Sequence, residues 1–346
     1  MPPYLEAIPA ANINNVGFIL LFDCKIKPIC ARQQNPNFVQ MRNDILLQHL
    51  IDHNTKKSNL FVSMLRLDKL HDVVSGNKVF KLKYYLCDAI DQGKKDIITQ
   101  GGPFSNHLVA AAYAAKKAGL GSIGLVRGVQ PNVFSDTLND CVQYGMKLKF
   151  IGKHMYDQID ASFIEKKFPE AAFIPRGGYG ANGVKGASEI LNFEQAAAFD
   201  YIIAACGTGT MGAGLVNASS SNQKIILISV LKNNFSISDD IRYLLDEESL
   251  TKNNLSINFE FHLGGYAKKN KLLFQTMNKF YQNHGIETDF LYTGKMIFAF
   301  NQLVENGYFP EGSKILLIHS GGLQGNRSLR NGELCYGNIS KSKNAI

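Results

Sequence analysis

The chain has no tryptophan, and its six cysteines (Cys24, Cys30, Cys87, Cys141, Cys206 and Cys335) are scattered, with no C-x-x-C pair among them. Metal-site spacing is therefore missing and no metal is expected. A chain of 346 residues also needs no disulfide scaffold to build a core. No apolar run approaches the ~18 residues that a membrane-spanning helix requires. The stretch from Val16 to Phe22 is short and follows no basic segment, so it does not read as a leader. Blocks of like charge are lacking too: the pairs Lys94-Lys95, Lys116-Lys117 and Lys268-Lys269 stand apart. A net charge of +8 without a basic stripe gives no reason to expect nucleic acid as a partner. These absences lead to the expectation of a reduced, cytoplasmic protein bound to neither membrane nor nucleic acid.

What is present is a 45% apolar composition, enough for a sizeable core. Residues 1–40, with Pro2-Pro3 and many Asn and Gln, differ from the rest. They read as an appendage or as the product of an upstream start codon chosen in error, the second being preferred. Met41 then opens a helix-like stretch through Ile51. From about residue 60, short apolar runs alternate with amphipathic stretches. Strands are expected at 60–62, 96–99, 122–126, 147–151, 201–205, 224–231 and 314–319. Helices are expected at 81–92, 107–118, 135–144, 186–198, 212–219, 272–285 and 295–306. Strand–helix alternation, with several helices ended by glycine, argues an α/β fold with parallel sheets.

Ligands of such folds sit where strands end and helices begin. Gly207 to Gly214 follows a strand and opens a helix. Its glycines and threonines allow backbone N–H groups to close around a phosphate. Gly207, Gly209 and Gly212 also match G-x-G-x-x-G. The next strand ends in Lys232 rather than an acid, which would suit NADP, and a plain tight turn is the alternative. Ser75-Gly76-Asn77-Lys78 is a bend before a helix. Lys78 is either a surface lysine or, in a closed cleft, an amine able to join a carbonyl cofactor. Lys81 lies one turn on, near the same face. In Gly101-Gly102-Pro103-Phe104-Ser105-Asn106-His107, the small polar side chains either cradle a carboxylate or cap the following helix. His107 alone reads as structural.

Together, Ser-Gly-Asn-Lys (75–78), Gly-Gly-x-x-Ser-Asn-His (101–107), the glycine-threonine loop (207–214), Tyr-Thr-Gly-Lys (292–295) and His-Ser-Gly-Gly (319–322) occur in one order. That order and spacing resemble the 1-aminocyclopropane-1-carboxylate (ACC) deaminase and D-cysteine desulfhydrase family, over about residues 60–325. These are pyridoxal-phosphate enzymes of fold type II, the tryptophan-synthase-β type. The resemblance implies a two-domain α/β enzyme with parallel and mixed sheets flanked by helices. A large cofactor-binding domain is expected from 41–80 and 179–346, with a small inserted domain at 81–178 and the cofactor between them.

The resemblance also implies roles. Lys78 matches the lysine that holds pyridoxal 5′-phosphate and moves the substrate's Cα proton. Lys81 sits near the phosphate, which Gly207, Thr208, Gly209 and Thr210 cradle. Asn106 contacts the phenolic oxygen. Ser105, with Asn106 and His107, faces the substrate carboxylate. Tyr292 stacks on the pyridine ring, and Tyr266 is a second active-site tyrosine. The substrate is a small amino acid, and a homodimer is implied by the family.

ACC deaminases carry a glutamate where this chain has Thr293, and a neutral hydroxyl cannot stabilise a pyridinium as a carboxylate does. Opening a cyclopropane calls for that stronger electron sink, whereas a thiolate leaves readily. Thr293, with Ser320 as a second partner of the ring nitrogen, therefore points to D-cysteine desulfhydrase-like β-elimination, with ACC deamination as the alternative. The chain departs from the family pattern at Val79-Phe80, at Arg66-Leu67-Asp68 and at Arg176. Arg176 either selects a second substrate carboxylate or is simply solvated. An NADP-binding oxidoreductase and a cofactor-binding protein without turnover complete the expectations.

Overall fold

In the computed structural model, the described residues are 46–337. Residues 1–40, and the first residues of the helix expected from Met41, lie outside them. Among the described residues, ten strands form two sheets. The larger contains β1 (Leu46–Leu50), β2 (Phe61–Arg66), β7 (Tyr201–Cys206), β8 (Lys224–Ser229), β9 (Leu255–Asn258) and β10 (Lys314–His319), in the order β1-β2-β10-β7-β8-β9. The smaller contains β3 (Asp96–Gly101), β4 (Gly121–Arg127), β5 (Met146–Ile151) and β6 (Ala171–Ile174), in the order β5-β4-β3-β6. All neighbours are parallel except β1, which runs antiparallel to β2.

Each central strand is apolar on both faces, as a parallel sheet covered by helices requires. Ile202, Ala204 and Cys206 of β7 face one core with Leu316 and Ile318, whereas Tyr201, Ile203 and Ala205 face the other with Ile315 and Leu317. The expected α/β alternation is thus present. Two of the expected elements take another form. Leu46–Leu50 is an edge strand, not a helix, because β2 offers an open edge there and Arg66 donates to Gln48 Oε1 at 2.7 Å. The helix expected over 186–198 is Ala181–Ser188 followed by two short 3-10 turns, Glu189–Leu191 and Glu194–Ala198.

The helix Asn77–Asp91 packs closely on Ala181–Ser188, and a glycine makes the crossing possible. A Cβ on Gly186 would lie 1.9 Å from the Phe80 carbonyl oxygen. The crossing links the helix that carries Lys78 and Lys81 to the large-sheet side of the molecule. Gly186→Val is expected to destabilise the protein by about 3 kcal/mol through overpacking. Urea unfolding of the two proteins measures it; an unchanged midpoint would show that the helices can simply move apart.

Candidate active site

β2 ends at Arg66, and the chain reaches the helix Asn77–Asp91 through Ser75 and Gly76. Gly76 has φ +67, and a Cβ there would sit 1.9 Å from the Ser320 carbonyl oxygen. That carbonyl accepts the Asn77 N–H at 3.2 Å. The end of β10 therefore lies against the start of the helix, and Ser320 lies beside the Lys78 turn. Lys78 Nζ donates to Asn77 Oδ1 at 2.6 Å. Burial lowers its pKa to about 8, with the Asp289 carboxylate opposing. Lys81 is buried, and burial and then the Lys78 charge bring it down to about 7. Neither lysine has a carboxylate within ion-pair distance among the described residues.

Across from the lysines, Ser105 caps the helix Asn106–Lys117 and accepts the Leu108 N–H at 3.4 Å. The capping reading of this loop therefore holds for Ser105, and its hydroxyl hydrogen is not used by the cap. Asn106 Nδ2 donates to Gly322 O at 3.4 Å, whereas its buried Oδ1 has no partner in the protein. His107 is buried. Thr99 Oγ1 donates to Ile174 O at 2.7 Å and lies 2.9 Å from His107 Nε2, so that nitrogen donates and Nδ1 is bare. Burial, then the charges of Lys81 and Lys78, hold this imidazole neutral, with a pKa lowered to about 3. Neutral, it supplies no positive charge to a substrate carboxylate.

The glycine-threonine loop joins β7 to the helix Thr210–Ala218. No side chain caps that helix, and Gly209 is left-handed at φ +79. Thr208 and Thr210 hydroxyls lie 3.3 Å apart. A Cβ on Gly177 would come within 2.9 Å of Thr208 Oγ1, and one on Gly178 within 3.3 Å of Lys81 Cβ. A helix N-terminus, two hydroxyls and a lysine thus converge, which is the chemistry of a phosphate cradle. Arg176 precedes these glycines but is exposed, and its charge acts on Tyr156.

The opposite wall is aromatic. A Cβ on Gly207 would be 3.1 Å from Tyr292 Cε1, and the rings of Tyr292 and Tyr266 meet edge to face at 5.8 Å. Burial raises both phenols, and the two hydroxyls share a hydrogen bond. Thr293 is fully buried. Its hydroxyl donates to Asp289 Oδ2 at 2.5 Å and accepts the Asp289 N–H at 2.8 Å. The Asp289 carboxylate also takes the N–H groups of Leu291, Tyr292 and Thr293 at 2.9, 2.7 and 3.0 Å.

Asp289 escaped the sequence reading, although an acid shortly before a helix start is a capping signal. Cys206 also escaped: its buried sulfur accepts the Gly209 N–H beside Lys81, and burial raises its pKa to about 11. No sequence signal separates it from any strand cysteine.

Lys81 releases its proton at about 7 when folded and at its ordinary 10.5 when unfolded. Between these values the unfolded chain binds more protons, so this lysine makes stability rise with pH across that window. For cofactor-free protein, the gain in Tm from about pH 7 to about 9.5 is expected to be smaller in Lys81→Met than in the wild type. Equal slopes would mean that Lys81 is well solvated.

The residues fit pyridoxal phosphate. There is an amine of lowered pKa at Lys78, an unpartnered acceptor at Asn106 Oδ1, an uncapped helix beside Lys81 for the phosphate, and an aromatic wall. A family model described as pyridoxal-phosphate dependent enzyme matches residues 56–321. The chain is 30% identical to a putative ACC deaminase of Pyrococcus horikoshii, covering 73% of this chain and 81% of that protein. It is 30% identical to the mitochondrial bifunctional D-cysteine desulfhydrase/ACC deaminase of Arabidopsis thaliana, covering 73% and 70%. A solved ACC deaminase homologue superposes with a TM-score of 0.70 at 26% identity, over 83% of this chain and 92% of that one. These matches overturn the NADP reading of Gly207–Gly214. The chain belongs to the pyridoxal-phosphate dependent enzymes, in the family of the ACC deaminases and D-cysteine desulfhydrases.

Proposed function

We propose that this enzyme eliminates the β-substituent of a small amino acid, with D-cysteine the substrate that best suits the site. D-cysteine and water would give pyruvate, hydrogen sulfide and ammonia. The observation that carries this reading is Thr293, whose hydroxyl hydrogen is already committed to Asp289. Asp289 in turn accepts four hydrogen bonds and serves as a helix-start anchor. Neither group is free to hold a proton on a ring nitrogen, and Ser320 is left as a neutral partner for it.

Bound pyridoxal phosphate supplies the electron sink for charge that develops at the substrate Cα. Lys78 would hold the cofactor through its amine. Burial lowers its pKa to about 8, so a larger share of that amine is unprotonated near neutral pH than in an ordinary lysine, and it would take the Cα proton. Lys81, Gly207, Thr208, Gly209 and Thr210 would hold the phosphate, and Asn106 the phenolic oxygen. Ser105 donates its spare hydroxyl hydrogen to the substrate carboxylate. Tyr292 covers the ring, with the Tyr266 hydroxyl hydrogen-bonded beside it. The sulfur leaves Cβ with the electron pair of the broken bond, as HS⁻, and needs no stronger sink. Residues 81–178 form the small unit over this site in our reading, and two copies of the chain form the enzyme.

ACC deamination is the second reading, favoured by the names of several relatives. Purified, cofactor-loaded enzyme offered both compounds separates the two. Pyruvate from D-cysteine without 2-oxobutanoate from ACC is expected, and faster turnover of ACC would overturn the argument from Thr293. Lys78→Ala is expected to lose both the colour of the loaded protein and all turnover, while no change in either would remove Lys78 from the site.

A further inference from the structure

Lys295 is fully buried, and its Nζ donates to the Gly265 carbonyl at 2.5 Å and lies 3.4 Å from that of Val230. No carboxylate pairs with it among the described residues. A dry ammonium served by two carbonyls is costly, and burial lowers its pKa to about 8. What it holds is unusual. Leu263, Gly264, Gly265 and Ala267 all have φ between +49 and +107, so the turn on either side of Tyr266 is made of left-handed residues. Leu263 and Ala267 are strained there, and Gly264, Ala267 and Lys268 are exposed. Within the turn, Gly265 N–H reaches His262 O at 3.0 Å and Lys268 N–H reaches Gly265 O at 3.3 Å. Those bonds curl the turn but do not fix it to the body of the protein. The Lys295 bond does, one peptide away from Tyr266.

Lys295 also sits one helical turn after Tyr292 on the helix Thr293–Glu305 and its N-terminal cap. The same segment therefore carries one ring of the tyrosine pair directly and grips the peptide next to the other. We infer that Lys295 is a positioning residue: its ammonium clamps the strained Leu263–Ala267 turn so that the Tyr266 hydroxyl meets Tyr292 over the site. This inference rests on the reading of Tyr266 and Tyr292 as active-site groups. The clamp itself is a property of the protein without cofactor, so it is tested separately.

The first test is hydrogen exchange on cofactor-free protein. Lys295→Met is expected to speed amide exchange in residues 263–268 by about tenfold, with β10 unchanged. Unchanged exchange in the turn, or an equal rise in β10, would overturn the clamp. The second test is a double-mutant cycle on turnover of D-cysteine, or of ACC where that is the compound consumed. Lys295→Met and Tyr266→Phe are each expected to lower kcat by about tenfold to a hundredfold, with KM little changed. Acting through one hydroxyl, the two losses should not multiply: the double variant should match the worse single variant within about threefold. Multiplying losses would mean that Lys295 acts elsewhere. Where Lys295→Met does not fold, Lys295→Gln enters both tests, and its remaining donor is expected to give an intermediate loss. Faster exchange in the turn with an inactive wild-type enzyme would leave the clamp standing and remove the proposed reaction instead.

Discussion

The site depends on a shortage of negative charge in a dry cleft. Lys78 and Lys81 stand one helical turn apart, both desolvated, with no carboxylate paired to either among the described residues. Like charges at that separation repel, and low dielectric strengthens the repulsion. The surroundings follow the same bias. His107 is kept neutral, Asn106 leaves a bare acceptor, and the helix Thr210–Ala218 starts with no acid in its first turn. A dianionic phosphate attached to an aldehyde would satisfy these features at once.

The cleft exists because β10, the last strand among the described residues, is inserted between β2 and β7 in the large sheet. That order brings the ends of three strands side by side: the Lys78 turn after β2, Ser320 to Gly322 after β10, and Gly207 to Thr210 after β7. Gly76 against the Ser320 carbonyl is the contact that locks the first two together. Gly322 then meets Asn106, which belongs to the small-sheet side. The chemistry is thus assembled from segments more than two hundred residues apart in the chain, each supplied by a strand end, as expected for parallel sheets.

The strand-end motifs were legible in the sequence because each needs its residue types locally: a glycine at positive φ before Lys78, a serine cap before Asn106, and an open glycine-threonine loop. The α/β alternation was legible for a similar reason, since strands covered on both faces show as continuous apolar runs. What failed was decided by partners. Leu46–Leu50 reads as helical until the open edge of β2 claims it, and Gly186–Ala198 breaks at Ser188, where short 3-10 turns take over. Short strands such as β6 and β9 carry too few residues to show a period. The weight placed on Thr293 came from its lack of charge. The structure adds a reason invisible in one dimension: the hydroxyl is occupied by an aspartate four residues before it.

Asp289 and Lys295 resolve one problem from opposite sides. The start of the helix Thr293–Glu305 must hold Tyr292 over the cleft, although Tyr292 itself has non-helical backbone angles and its own side chain makes no capping hydrogen bond. Asp289 collects the N–H groups just before and at the helix start, satisfying donors that would otherwise be bare. Lys295, buried within the first turn, reaches back to the Gly265 peptide and so ties the second tyrosine to the same segment. The two charges are not an ion pair, yet the Asp289 field favours the Lys295 ammonium. Removing either charge would leave the other buried with less support. The geometry of the tyrosine pair is therefore set by two dry charges of opposite sign, a few residues apart, each spent on backbone rather than on the other.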